Sequence, residues 1–223
     1  MVSDAETPVG NLKFQWSAEV GTITGDGPSV TWTLPHDAPT PHAYMLTLTV
    51  IETYQATDDN GLPATKENKT TGTATVYLHN SRKEVGDMAT QFMNDFSNSG
   101  TPKSTVMQNF IDSCQGTSDE NKDVDKNRRL WQINSYRPGS TDVSIKFGGD
   151  CPYRNRNGVD ACAQVQWQWT STCKNTGQTA ISTGTDQVTA IYQGNRWYLC
   201  SSDWNGSGQS GPTDDDCDKG IKR

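Results

Sequence analysis

No histidine follows His79, no cysteine precedes Cys114, and nowhere do about 18 apolar residues run together. Without histidine, residues 80–223 lack the side chain whose charge ordinarily changes near neutral pH, so no His–Asp dyad can form there. Without cysteine, residues 1–113 must be held by packing and hydrogen bonds alone. The missing apolar run, and the lack of a charged-then-apolar leader, argue against direct membrane insertion. The Met-Val start reads as the beginning of a mature fragment. Basic charge is also short: 19 Lys+Arg against 26 Asp+Glu leave a net charge of −7, the opposite of the basic footprint on which nucleic-acid binding rests. Nucleic acid is therefore excluded as a partner.

Hydrophobic residues make up only 32% of the 223, yet 7 Trp, 7 Tyr and 20 Gly give a polar chain the large side chains and turns of a folded, strand-rich protein. The six cysteines are even in number and scattered, with no C-x-x-C pair and no C-x-x-C-H string. Such spacing predicts disulfides and export, and neither a metal nor another cofactor is expected. Asn68-Lys69-Thr70 and Asn205-Gly206-Ser207 are glycan acceptors only in a eukaryotic secretory setting.

The cysteine distribution predicts two domains, residues 1–81 and 82–223. In the first, apolar residues alternate at Leu12, Phe14 and Trp16, at Val30, Trp32 and Leu34, at Tyr44, Leu46, Leu48 and Val50, and at Ala74, Val76 and Leu78. Alternation at this period places one side of each strand in a core, the pattern of an all-β sandwich. Gly25-Asp26-Gly27-Pro28 and the polar stretch Thr57 to Thr70 are read as turns, with Asp58-Asp59-Asn60-Gly61 a turn rather than a calcium loop. His36 and His42, beside Asp37 in a proline-rich loop, are read as solvated. The string from Phe14 to Gly27, with Val30-Thr31-Trp32 and Tyr44 to Val50, resembles the PKD-like branch of the immunoglobulin-like folds. Of that family's Trp-Asp-Phe-Gly-Asp-Gly string only Gly25-Asp26-Gly27 is present. The resemblance implies a spacer or adhesion module of a secreted or cell-surface, often bacterial, protein.

The second domain opens with Ser81 and Glu84 spaced as a capping box. Val85, Met88, Ala89, Phe92, Met93 and Phe96 follow at helical spacing. A second helix is expected after Pro102, carrying Val106, Met107, Phe110, Ile111 and Cys114 to a stop at Gly116, and a third from Ser118 toward Trp131. Asp123-x-Asp125-x-Asn127 lacks the turn glycine of a calcium loop and is read as a helix face. Strands follow Pro138-Gly139, with Val143, Ile145 and Phe147 alternating. Two hairpins can be registered. Gly194-Asn195 pairs Tyr192 with Trp197, and Lys174 to Gly177 pairs Cys173 with Gln178. One face then collects Val165, Trp167, Trp169, Val188, Ala190, Tyr192, Trp197 and Leu199, while Gln164, Gln166, Gln168 and Thr170 take the other.

Helices followed by a curved antiparallel sheet that closes on Gly194-Asn195-Arg196-Trp197-Tyr198-Leu199-Cys200 resemble the cystatin-like α+β cone of the NTF2-like superfamily. The resemblance implies helices packed on the concave face of the sheet around a cone-shaped pocket. It also implies a function drawn from isomerases, dehydratases and binding proteins.

Trp167, Trp169, Tyr192 and Trp197 are the candidate ligand-binding residues, able to stack on a flat ligand or a sugar. The register sets Asp186 level with Asp203 beside Val165, a carboxylate pair able to share a proton for acid–base work. Tyr153-Arg154-Asn155-Arg156-Asn157-Gly158 is a basic loop in an acidic protein, and Asp214 to Asp218 read as a solvated acidic tail held by Cys217. For the disulfides, Cys151 and Cys162 bracket a hairpin loop, Cys217 ties the tail back to Cys200, and Cys114 joins Cys173 by elimination. These readings converge on a secreted, non-enzymatic interaction module in which a PKD-like spacer presents an NTF2-like domain to a protein or small-molecule ligand. The alternatives are an isomerase or lyase using Asp186 and Asp203, and carbohydrate adhesion through exposed aromatics.

Overall fold

Most of the apolar alternation in the first 80 residues becomes strands, with Leu12, Val30 and Leu34 just outside them: β1 (Lys13–Ala18), β2 (Thr22–Thr24), β3 (Thr31–Thr33), β4 (His42–Thr57) and β5 (Pro63–Leu78). The computed structural model describes residues 7–138, 144–151 and 159–222, and its chain contacts divide into two units, Met1–His79 and Asn80–Arg223. In the first unit β1, β4 and β5 form an antiparallel sheet in that order, and β2 pairs with β3. Its small core holds Leu12, Phe14, Tyr44 and Ile51. The Trp32 ring meets Tyr44 edge-on at 5.8 Å. Both indoles of the unit are pinned to backbone, Trp16 Nε1 donating to the Gly27 carbonyl at 3.0 Å and Trp32 Nε1 to that of Val20 at 2.8 Å.

The polar stretch expected to be a turn is mostly strand. The reversal itself needs only Asp58 to Leu62, where Asp58 Oδ1 accepts from the Asn60 and Leu62 amides. Those amide donors hold the Asp58 carboxyl below its usual range. From Pro63 onward the chain pairs with β4 along its whole length although nearly every side chain is exposed. β-Branched threonines favour extended backbone without needing burial, and the Thr49 and Thr71 hydroxyls meet at 3.0 Å across the pair.

The second unit is α+β. Helix α1 (Ser81–Ser97) begins one residue earlier than the expected capping box. Asn80 is the cap, its side chain accepting from the Lys83 amide while Glu84 accepts from the Asn80 amide. Of its apolar stripe Val85, Ala89, Phe92, Met93 and Phe96 are buried, and Met88 is partly buried against them. The second helix is shorter than expected: α2 (Lys103–Val106) covers one turn. The following residues run along the last strand, where the Leu199 amide donates to Asn109 and the Leu199 carbonyl accepts from Ile111. Gly116 does not stop a helix. It lies in the first turn of α3 (Gln115–Leu130), where a Cβ would come within 2.3 Å of Ser201, so glycine allows this turn to sit directly on the sheet.

The sheet consists of β6 (Trp131–Pro138), β7 (Ser144–Phe147), β8 (Ala161–Cys173), β9 (Thr179–Gln193) and β10 (Arg196–Ser210), ordered β10-β9-β8-β6 with β7 also on β8. Ile145 and Phe147 lie on β7, while Gly139, Val143 and the basic loop Tyr153 to Gly158 lie outside the described residues. The β8–β9 register is the expected one, Cys162 opposite Thr189 and Val165 opposite Asp186. The β9–β10 register holds from Tyr192–Trp197 to Ala190–Leu199 and then breaks at a bulge, after which Ser202 faces Val188 and Trp204 faces Asp186. Along this face Val165, Trp167, Trp169, Val188, Trp197 and Leu199 pack with the α1 stripe into one core. The acidic tail is a capped helix, α4 (Asp214–Lys219), with Thr213 and Asp216 bonded reciprocally and Asp216 buried.

All six cysteines are paired, as Cys114–Cys200, Cys151–Cys162 and Cys173–Cys217. Only Cys151–Cys162 matches the expected pattern. Cys114 follows the segment that borders Leu199 and so lies beside Cys200. Since β10 continues to Ser210, ten residues at about 3.3 Å each carry the chain away from Cys200 before the tail turns back. The tail instead crosses to the end of β8, where Leu130, Trp131, Cys173, Ala180 and Cys217 form a second buried cluster. Three disulfides fit an exported protein. Among the described residues no helix is long and apolar enough to cross a membrane.

Candidate functional site

A cleft of about 990 Å³ opens where the ends of β8 and β9 meet the second half of β10, with α3 and α4 on its border. Its size falls at the upper end of the roughly 300–1,000 Å³ typical of small-molecule sites. Phe96, Trp131, Trp167, Trp169 and Trp204 supply the aromatic lining. These rings brace one another. Trp167 and Trp169 stack at 4.2 Å, Phe96 stacks on Trp169 at 5.6 Å, and Trp204 tilts against Phe96 at 4.8 Å. Trp169 Nε1 donates to Ser97 at 2.7 Å, and Trp131 Nε1 donates to Asp214 at 2.8 Å. Among the described residues Trp167 Nε1 finds no hydrogen-bond partner although the residue is only 7% exposed. Of the five, Trp204 alone is half-buried rather than buried, which makes it the ring most open to a ligand.

Local sequence explains the aromatic packing. Trp167 lies opposite Gly184 on β9, where a Cβ would fall 2.5 Å from the indole, so glycine makes room for the ring. The bulge after Leu199 turns Trp204 onto the face that carries Asp186 and the tryptophans.

Polar groups complete the lining. Ser171, Ser182, Thr183, Ser202, Ser207 and Thr213 contribute hydroxyls. Asp123, Asp203, Asp214 and Asp215 contribute carboxyls against the single cation Lys126, which is itself paired with Asp214 at 2.7 Å. That hydrogen bond raises the Lys126 pKa, while burial raises that of Asp123.

Beneath the cleft lies a buried acid pair, Glu120 of α3 (1% exposed) and Asp186 of β9 (0% exposed). Asp186 Oδ2 accepts from the Ser202 hydroxyl at 2.7 Å, while among the described residues its Oδ1 and both Glu120 carboxyl oxygens are buried without a well-formed hydrogen bond. Burial pushes the Glu120 pKa up to about 9, with the charges of Asp186 and Asp123 acting in the same sense and Ser202 and Trp204 weakly opposing. Burial likewise pushes Asp186 up to about 7, the Asp203 charge adding to it and the Ser202 hydroxyl countering. Tyr136 of β6 is raised by burial and by Asp186.

Of the candidate residues, Trp167 and Trp169 border the cleft. Tyr192 and Trp197 pack against each other at 5.3 Å at the far end of the sheet, where Trp197 is core. Asp203 borders the cleft but faces Gln187 across the ladder, so the expected level pairing with Asp186 is not formed. The residues missed from the sequence are Trp204 as a wall and Glu120 as the partner of Asp186. For Glu120 a signal existed: Thr117, Glu120 and Val124 recur at helical spacing and are all buried, so a carboxyl occupies an apolar stripe. No protein-family model and no curated protein matches this sequence.

Proposed function

We propose that the chain is an extracellular binding module: a PKD-like first unit acts as a spacer, and an NTF2-like second unit holds a small ligand in the cleft without transforming it. The cleft carries this reading, because aromatic rings and hydroxyls converge in a space of about 990 Å³. Three disulfides fit a module that works outside the cell. Emission titration of the full chain against a set of small compounds tests it, with Trp204→Phe in parallel. A saturable spectral change that is weakened in the variant is expected. A spectrum unmoved by every compound would mean that nothing binds beside these tryptophans.

A second reading, an isomerase- or lyase-type enzyme, draws on one observation: Glu120 and Asp186 are paired buried acids with raised pKa values. It rests on Glu120 where the sequence had pointed to Asp203. It ranks second because neither acid is part of the cleft lining. Turnover lost in Glu120→Gln while ligand affinity is unchanged would reverse that order.

A further inference from the structure

The lining of the cleft also narrows the class of ligand, an inference that rests on the binding reading above. Among the described residues that line it, Ala180 is the only aliphatic one apart from glycines. A greasy ligand would leave hydroxyls and carboxyls desolvated against it, whereas a polyhydroxylated one exchanges its water bonds for theirs. A half-buried ring, Trp204, stands among those hydroxyls, the pairing of flat apolar platform and hydrogen-bonding rim that suits the C–H face and the hydroxyls of a sugar ring. Trp167 Nε1, a buried donor without a partner among the described residues, lies in the same wall.

Charge then divides the sugars. Among the described residues, four aspartates border the cleft against one lysine already held by Asp214. A uronate, sialate or phosphosugar would meet like charge, and a free amine would meet the opposite one. Asp123, on the α3 border, has neither a hydrogen bond nor an ion pair among the described residues, and burial already disfavours its charge. We propose that the cleft binds a short saccharide, prefers one bearing a free amine, and rejects acidic sugars.

The test is calorimetric titration of the full chain at about pH 6, where an amine is protonated. The probes are the β-1,4-linked glucosamine disaccharide, cellobiose as its neutral counterpart, cellobiouronic acid as the acidic one, and benzyl alcohol as a flat non-sugar. The glucosamine disaccharide is expected to bind most tightly and cellobiouronic acid not at all. Asp123→Asn is expected to weaken the first about three- to fivefold, the scale of one partly exposed charge, and to weaken cellobiose distinctly less, since the amide keeps an oxygen acceptor but loses the charge. Raising the salt should close the same gap. Cellobiouronic acid binding as well as cellobiose would overturn the charge selectivity. Binding of benzyl alcohol with none of the three sugars would overturn the saccharide assignment and leave the ligand-binding reading standing. Silence from all four probes would remove the proposal together with that reading.

Discussion

A carboxyl that is 1% exposed, with neither oxygen in a well-formed hydrogen bond among the described residues, enters the folded state as the neutral acid. For Glu120 the folded pKa of about 9 lies above the ordinary 4.5, so between those values the native protein holds a proton that the unfolded chain releases. Stability is then greatest on the acid side and falls as pH rises, by up to about 1.4 kcal/mol per unit. Asp186 adds the same sign between 3.8 and about 7. Glu120→Gln keeps the shape and removes the titration. Urea unfolding at several pH values should find the variant more stable than the parent by roughly 3 kcal/mol at neutral pH, with the difference shrinking toward pH 4. An offset independent of pH would show that Glu120 is solvated in the native state. The tryptophans divide in the same way. Trp197→Ala should cost about 3–5 kcal/mol and leave ligand affinity unchanged, since that ring is core at the far end of the sheet from the cleft. Loss of binding in a stably folded Trp197→Ala would move the site.

Within single elements, β8 and α1 were the most legible, because Val165, Trp167 and Trp169 alternate and Val85 to Phe96 recur at helical spacing, each period tied to one buried face. The β8–β9 register followed from its turn. The β9–β10 register was legible only as far as Leu199, since the turn at Gly194-Asn195 fixes pairing locally and a bulge leaves no period to read. The first part of β5 was hidden for another reason: from Pro63 to Thr73 the strand is polar and nearly all exposed, so the alternation becomes readable only at Ala74, Val76 and Leu78. The segment after Val106 keeps helical spacing in Phe110, Ile111 and Cys114, yet pairing with Leu199 overrode it, a competition that local propensity does not decide. Gly184 gives this scale its own test. Gly184→Ala would place a methyl 2.4 Å from the Asn205 carbonyl oxygen and 2.5 Å from the Trp167 ring. Destabilisation of about 1–3 kcal/mol with altered tryptophan emission is expected, and a silent substitution would show that the indole is not seated there.

At the scale of the molecule, the cysteine-rich half was foreseen but its wiring was not, because pairing depends on where β10 ends and the tail crosses. Cys173–Cys217 closes 44 residues and fastens α4 to the end of β8. Replacing both cysteines by serine should cost about 2–4 kcal/mol and release Asp214 and Asp215 from the cleft border, seen as faster amide exchange in α4. Unchanged exchange would mean that Arg129–Asp218 and Lys126–Asp214 hold the helix by themselves. The bulge at Cys200 also sets which side chain faces Asp186. Before it, paired residue numbers sum to 389, and just after it to 390. A ladder running straight on with Cys200 paired to Thr189 would keep the sum at 389, set Asp203 opposite Asp186 and carry the indole of Trp204 to the outer face. On one scaffold, a single unpaired residue therefore decides whether an indole or a second carboxylate stands across from Asp186.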